Sequence, residues 1–123
     1  MRVIPTRLHG MMDYLMGALL IVAPWLFGVG RGPAAWIPII LGAGALSYSL
    51  LTDYELGVIR AIPMPVHLGL DAVSGLFLMA SPWLFGFADH VWAPHVMFGV
   101  LELGAALTTR TVPEHSFGGV GAV

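Results

Sequence analysis

Four long apolar stretches, separated by short polar or glycine- and proline-rich breaks, dominate the chain. They cover approximately residues 8–28, 34–51, 66–87 and 92–109. A helix needs roughly 20 mostly apolar residues to cross the hydrocarbon core of a bilayer, and each stretch reaches or approaches that length. The pattern therefore predicts four transmembrane helices.

The breaks between the apolar stretches are typical of chain reversals, because glycine and proline interrupt helices. Residues 30–33 separate the first pair of stretches, and residues 88–90 separate the second pair. A longer segment with polar and proline residues, 52–65, lies between the pairs. The glycine-rich residues 114–123 are expected to form a flexible tail.

The second half of the chain repeats the first. A shift of 58 residues carries Arg2 onto Arg60 and the Pro-Trp-Leu-Phe-Gly segment at 24–28 onto its copy at 82–86. Other pairs matched by this shift are Pro5–Pro63, His9–His67, Asp13–Asp71, Gly17–Gly75 and Leu20–Leu78. Pairs matched by a shift one residue shorter are Gly42–Gly99, Leu46–Leu103 and Leu50–Leu107.

This repetition predicts an all-α fold, a four-helix transmembrane bundle built from two tandem helical hairpins. Repeat 1 covers about residues 2–56 and repeat 2 about residues 60–113, within a single transmembrane domain over residues 1–123. Each hairpin has an even number of spans, so both hairpins enter the membrane from the same side. A pseudo-twofold axis along the membrane normal should relate these parallel repeats.

The shared positions of the first helix lie on one helical face. They are His9, Asp13, Gly17, Leu20 and Pro24. Their spacings of four, four, three and four residues follow the helical period, and the third helix carries the same stripe from His67 to Pro82. We expect both stripes to face the bundle interior, where Gly17 and Gly75 allow helices to approach closely.

Composition supports a membrane location. Hydrophobic residues make up 58% of the chain and charged residues only 10%, whereas soluble domains carry about 25% charged residues. Five arginines against seven acidic residues leave no basic surface for nucleic acid. The absence of cysteine excludes disulfides, thiolate metal sites and cysteine nucleophiles.

The arginines predict the orientation. Four of them fall on one side of a four-span arrangement, and Arg31 alone falls on the other. The four are Arg2, Arg7, Arg60 and Arg110. Because cytoplasmic loops carry an excess of positive charge, both termini and the central loop are expected in the cytoplasm.

The repeated phrase Ser81-Pro82-Trp83, with a degenerate copy at Ala23-Pro24-Trp25, resembles the SPW-repeat family of prokaryotic integral membrane proteins. The resemblance covers about residues 2–113 and includes the layout of two tandem two-helix repeats. It implies a multi-pass protein of the bacterial inner membrane and assigns no activity. Since the first copy lacks the serine, that hydroxyl is not essential in both halves.

The motif has a structural interpretation. Pro24 and Pro82 lie about one turn before the predicted helix ends, and each removes an amide donor and frees a carbonyl group one turn earlier. Ser81 is expected to satisfy such a carbonyl. Trp25 and Trp83 are expected at headgroup depth, where tryptophan is enriched.

The paired histidines and aspartates are the first candidate for chemistry. His9 and Asp13 are neighbours on one helix face, as are His67 and Asp71, and the pseudo-twofold places both pairs at equal depth. They form either a structural polar cluster, a site for a divalent metal ion, or, through His9 and His67, axial ligands for haem. In the structural case the histidines orient the carboxylates or pair with one of three arginines, Arg7, Arg60 or Arg110.

Glu102 is the second candidate, because its counterpart in repeat 1 is Ala45 and the acid therefore breaks the symmetry of the repeats. A carboxylate at bilayer depth costs several kcal/mol unless it is protonated or paired. With His95 two turns away on the same face, it suggests part of a proton path. The alternative is a protonated Glu102 bonded to a neighbouring helix, through Ser47 or Ser49, or to a second subunit.

No catalytic motif occurs in the sequence. We therefore expect a protein without catalytic activity that acts in the bilayer as an assembly or accessory subunit of a larger complex, or as a small homo-oligomer. A proton- or ion-conducting protein that uses Glu102 and the His–Asp cluster is the alternative, as is a metal- or haem-binding protein. No cofactor is expected under the leading interpretation.

Overall fold

Four helices form the protein in a computed structural model that describes residues 2–113. They are α1 (Thr6–Leu26), α2 (Pro33–Leu50), α3 (Met64–Leu84) and α4 (Ala93–Thr108). Each predicted boundary lies within three residues of the observed one, which confirms the all-α prediction. The predicted tail, residues 114–123, lies outside the described residues.

Three helices, α1, α2 and α3, are long and apolar enough to cross a membrane. The fourth helix, α4, is apolar but shorter, with 16 residues. At 1.5 Å per residue it is about 24 Å long, somewhat less than the roughly 30 Å of a bilayer core. Helices of this length and composition are typical of a membrane protein.

Glycines allow the two helices of each hairpin to pack at close range. A Cβ atom added to Gly42 would lie 2.6 Å from the carbonyl oxygen of Gly17, and one added to Gly99 would lie 2.6 Å from that of Gly75. Only glycine fits such backbone contacts. The two crossings, α1 with α2 and α3 with α4, are copies of each other, as the repeat predicts.

The predicted stripes face the interior. His9, Asp13, Gly17, Leu20 and Pro24 are all buried, and the corresponding residues of α3 are buried too. Leucine and valine side chains on the outer faces of the helices are exposed, as expected for contact with lipid.

Two short parallel backbone contacts preserve the pseudo-twofold at one end of the bundle. Ile4 pairs with Thr109, and Ile62 pairs with Thr52. The segment before α1, the end of α4 and the loop after α2 therefore lie at the same end. This arrangement agrees with the predicted two-hairpin layout, in which both hairpins start from one side.

The proline-tryptophan segments end α1 and α3 in the same way. The Ser81 hydroxyl donates to the Leu78 carbonyl at 2.7 Å, which is the carbonyl that Pro82 leaves without an amide donor. Gly28 and Gly86 then adopt positive φ angles of 58° and 74°, as glycine does just after a helix end. Ser81 therefore has the predicted structural role.

Candidate functional site

Four buried side chains meet between α1 and α3, and we call them the His–Asp quartet: His9, Asp13, His67 and Asp71. His9 Nε2 lies 2.7 Å from Asp71 Oδ2 and 3.0 Å from Asp13 Oδ1. His67 Nε2 lies 2.9 Å from Asp13 Oδ2 and 3.2 Å from Asp71 Oδ2. No side chain of the quartet is more than 9% exposed. The structure thus brings together all four residues of the first candidate.

The second ring nitrogen of each histidine contacts a threonine. Thr109 Oγ1 lies 2.7 Å from His9 Nδ1, and Thr52 Oγ1 lies 2.7 Å from His67 Nδ1. Each threonine hydroxyl also donates at 2.6 Å to the carbonyl four residues earlier in the chain. A hydroxyl has one proton to donate, so each threonine accepts from the histidine Nδ1–H. The Nε2 atoms are therefore the nitrogens that face the quartet.

Two tyrosines contact the carboxylates. The Tyr54 hydroxyl donates to Asp13 Oδ2 at 2.7 Å, and the Tyr48 hydroxyl donates to Asp71 Oδ1. Tyr54 lies in the loop after α2, where burial first and the charge of Asp13 second raise the pKa of its hydroxyl above the usual value. Tyr54 therefore stays protonated and remains a hydrogen-bond donor to Asp13.

The contacts inside the quartet are not all hydrogen bonds. The His9 Nε2–Asp71 contact has hydrogen-bond geometry, but His67 Nε2 is buried and makes no hydrogen bond despite its two carboxylate neighbours. A buried polar atom without a partner costs free energy. This nitrogen is close to two carboxylates but is not aligned with either. If the quartet is held together by protons alone, His67 Nε2 therefore lacks a well-aligned hydrogen bond.

Charge balance restricts what the quartet can hold. If neither Nε2 atom carries a proton, two nitrogen lone pairs face two carboxylates. The two negative charges of the carboxylates are then not compensated. Unpaired charge within a membrane protein is costly. The quartet is neutral with two added protons, which convert both rings to imidazolium, or with one divalent cation.

The haem alternative does not fit this geometry. Axial ligation needs a porphyrin between the two histidine Nε2 atoms, but Asp71 Oδ2 lies 2.7 Å from one of them and 3.2 Å from the other. The expected pairing with arginine is also absent, since no arginine of residues 2–113 forms an ion pair with the quartet. Arg2 instead donates to the Ala106 and Thr109 carbonyls at the end of α4.

Glu102 and His95 are both buried but occupy separate surroundings. Glu102 is 8% exposed and lies beside Ser74 of α3. His95 Nε2 lies 2.9 Å from the Ala34 carbonyl of α2, and its ring packs on Phe87. Within residues 2–113, no hydrogen-bonded side chain connects the two. The proton path suggested by the sequence therefore gains no structural support.

The serines expected beside Glu102 lie elsewhere. Ser47 donates to the Ala43 carbonyl of its own helix on an exposed surface, and Ser49 lies beside Tyr54. The expectation was wrong because Ser47 lies on the exposed side of α2, whereas Ser49 is buried next to the loop that follows the helix. The neighbouring hydroxyl, that of Ser74, belongs to α3.

Sequence reasoning missed four residues that contact the quartet. Thr52 and Thr109 carried a signal, because the shorter shift of 57 residues that aligns α2 with α4 also aligns this pair. Tyr48 and Tyr54 have no such signal. They have no counterparts in repeat 2, where Ala105 stands at the position of Tyr48.

A family model described as the SPW repeat domain matches residues 7–109 of the chain. The match covers all four helices apart from the first residue of α1, and it includes the whole quartet. Comparison with curated proteins gave no match, and comparison with solved structures gave none either.

Proposed function

Because this chain belongs to the SPW repeat family of membrane proteins, we propose that it is a small integral membrane protein that holds a divalent transition-metal ion in the His–Asp quartet. The observation that carries the proposal is the convergence of four potential ligand atoms, one from each residue, within 4.8 Å of one another. Two imidazoles and two carboxylates suit first-row divalent ions such as Zn²⁺.

The surroundings of the ligands support this proposal. Histidines that bind metal almost always donate their other ring N–H to a fixed acceptor, and the two threonine hydroxyls are such acceptors. The carboxylates are held by tyrosine hydroxyls. Each potential ligand is therefore oriented before an ion arrives.

The spacing of the ligand atoms is close to that of a zinc site. Zinc–ligand bonds of about 2.1 Å in a tetrahedron place the ligand atoms about 3.4 Å apart. The four contacts in the quartet measure 2.7–3.2 Å. Because the ligand atoms lie within 4.8 Å of one another, an ion requires the short His–Asp contacts to lengthen and the wider pairs to close, and it removes the need for His67 Nε2 to find a hydrogen-bond acceptor.

The proposed role of the ion is structural. Two ligands come from α1 in repeat 1 and two come from α3 in repeat 2, so the ion joins the repeats near one end of the bundle. Four protein ligands complete a tetrahedral zinc site and leave no open position for a reacting water. This agrees with the expectation of a protein without catalytic activity.

Replacement of one carboxylate tests the site. We expect the purified protein, stripped with EDTA, to bind one Zn²⁺ per chain in isothermal titration calorimetry, and Asp13→Asn to weaken binding at least 100-fold. Asp89→Asn, in the exposed loop before α4, is the matched control and should bind as the wild type does. Equal affinity in all three proteins, or no binding of Zn²⁺, Mn²⁺ or Fe²⁺ by the wild type, would contradict the proposal.

We also propose the cellular setting that the sequence favours. The protein resides in the bacterial inner membrane with both termini in the cytoplasm, and the quartet lies at the cytoplasmic end. It acts there as an assembly or accessory subunit, or as a small homo-oligomer. Native mass spectrometry from membranes tests this through the mass of the intact assembly, which a monomer without partners would contradict.

A further inference from the structure

A cavity of about 270 Å³ opens between α1 and α4, and we call it the α1–α4 cavity. Its walls are mainly apolar, with contributions from Met12, Met16 and Phe98. Its polar end is formed by Glu102 and by three residues of the quartet, His9, Asp13 and Asp71. A mostly apolar cavity with a few convergent polar groups is the usual form of a small-molecule site.

The cavity exists because the two repeats differ at one position. Tyr48 of α2 extends toward α3 and its hydroxyl donates to Asp71. The pseudo-twofold carries this contact onto Ala105 of α4 and Asp13 of α1. Alanine has no ring to place there, and Ala105 lines the α1–α4 cavity. Asp13 thus has an open space where its counterpart has a phenol.

The second difference between the repeats places an acid in the same cavity. Glu102 stands where repeat 1 has Ala45, and both residues line the cavity. Glu102 is 92% buried and the Ser74 hydroxyl is its polar neighbour, but neither the Glu102 Oε2 atom nor that hydroxyl makes a well-aligned hydrogen bond within residues 2–113. Buried polar groups are normally satisfied, and a carboxyl group has two oxygens, so Glu102 can accept or donate a further hydrogen bond besides its contact with Ser74.

The cavity is accessible from the lipid side of the bundle. Close packing joins α1 to α2, α2 to α3 and α3 to α4, whereas α1 and α4 make almost no close contact along their lengths. Leu15 and Leu101 line the cavity and are 62% and 52% exposed. A molecule dissolved in the bilayer can therefore enter between these two helices.

We propose that the α1–α4 cavity binds the ring of a membrane-soluble hydroxylated aromatic molecule of the quinol class. The ring lies beside Ala105, in the position that the pseudo-twofold makes equivalent to that of the Tyr48 ring. Its hydroxyl groups hydrogen-bond to Asp13 and Glu102. The volume lies just below the range of about 300–1,000 Å³ typical of ligand pockets, which suits one substituted ring with its chain in the bilayer. The inference does not require a metal ion in the quartet.

The test uses full-length protein in nanodiscs of synthetic phosphatidylcholine, with EDTA present, and decylubiquinol as the probe. We expect saturable binding to the wild type, and tighter binding of decylubiquinol than of decylubiquinone, because carboxylates accept hydrogen bonds from the hydroxyl groups. Ala105→Tyr places a phenol in the cavity and should weaken binding at least tenfold. Leu76→Tyr adds the same side chain to the lipid-facing side of α3 and should leave binding unchanged.

A second variant keeps the test decisive if Ala105→Tyr fails to fold. Glu102→Leu leaves the helix packing intact and removes the acid, so it should also weaken decylubiquinol binding at least tenfold. No saturable binding to the wild type, or equal binding to Leu76→Tyr and the folded cavity variants, overturns the proposal. Displacement of the probe by equimolar lauric acid overturns it as well, because the cavity would then accept any acyl chain. None of these outcomes bears on Zn²⁺ binding, which is measured separately.

Discussion

At the scale of single residues, the threonine hydroxyls decide which histidine nitrogens face the quartet. Thr109 and Thr52 each donate to a backbone carbonyl and accept from a histidine Nδ1–H. This arrangement fixes both imidazole rings with Nε2 directed at the carboxylates. Binding of the proposed ion thus depends on two threonines that are not themselves ligands.

Thr109→Val tests this dependence, because valine keeps the shape of threonine but cannot accept the His9 proton. We expect Zn²⁺ affinity to fall 10- to 100-fold, the usual cost of removing the partner of a metal-binding histidine. Thr108→Val is the matched control, since the Thr108 hydroxyl bonds only to the Gly104 carbonyl on an exposed surface. Calorimetric titration of both variants measures the difference, and equal affinities would refute the role of Thr109.

At the scale of helices, close glycine contacts hold each hairpin together. Helices in a bilayer associate through tight packing of small residues, because lipid tails provide no hydrophobic drive between them. In repeat 2 a Cβ atom on Gly99 would lie 2.6 Å from the Gly75 oxygen and 2.9 Å from the Met79 nitrogen. Neither atom can move without a shift of the α3 backbone.

Gly99→Ala should therefore separate α3 from α4 and lower the free energy of unfolding by about 1–3 kcal/mol, as overpacking does. Gly104→Ala on the same helix meets nothing within 4 Å. It should be neutral or stabilise by up to about 1 kcal/mol, because alanine favours the helix over glycine. Thermal unfolding in detergent compares the two variants, and similar melting temperatures would show that the crossing tolerates a methyl group.

At the scale of the whole molecule, the two hairpins place Ile4, Thr109 and the central loop at one end of the bundle. The positive-inside rule predicts that this end is cytoplasmic. The proposed metal site and the polar end of the α1–α4 cavity then lie toward the cytoplasm. The orientation therefore determines which compartment supplies the ion.

Cysteine labelling in intact cells tests the orientation, since the chain has no cysteine of its own. Arg31→Cys, in the loop between α1 and α2, should react with a membrane-impermeant maleimide. Val58→Cys, in the exposed part of the central loop, should react only after the membrane is permeabilised. The reverse pattern would place the quartet on the outer side.

The sequence by itself determined the four helices, the two repeats and the meeting of the His–Asp quartet. A repeat with two spans forces equivalent residues to equal depth, so His9 and His67 had to lie at one level once their helices formed. The stripes of α1 and α3 followed from helical period alone. The hydrogen bond from Ser81 to the carbonyl that Pro82 leaves without a donor also followed from local chemistry.

Only the tertiary structure decided what surrounds the quartet and where the bundle is open. Tyr48 and Tyr54 reach the carboxylates from α2 and from the loop after it, and their reach depends on helix rotation and loop path, which internal repetition does not encode. The gap between α1 and α4 likewise depends on Ala105 lying opposite Asp13. Residues shared by the two repeats indicate the contacts that both hairpins make. The effect of a residue that differs between the repeats depends on its neighbours in the folded protein, which the sequence does not show.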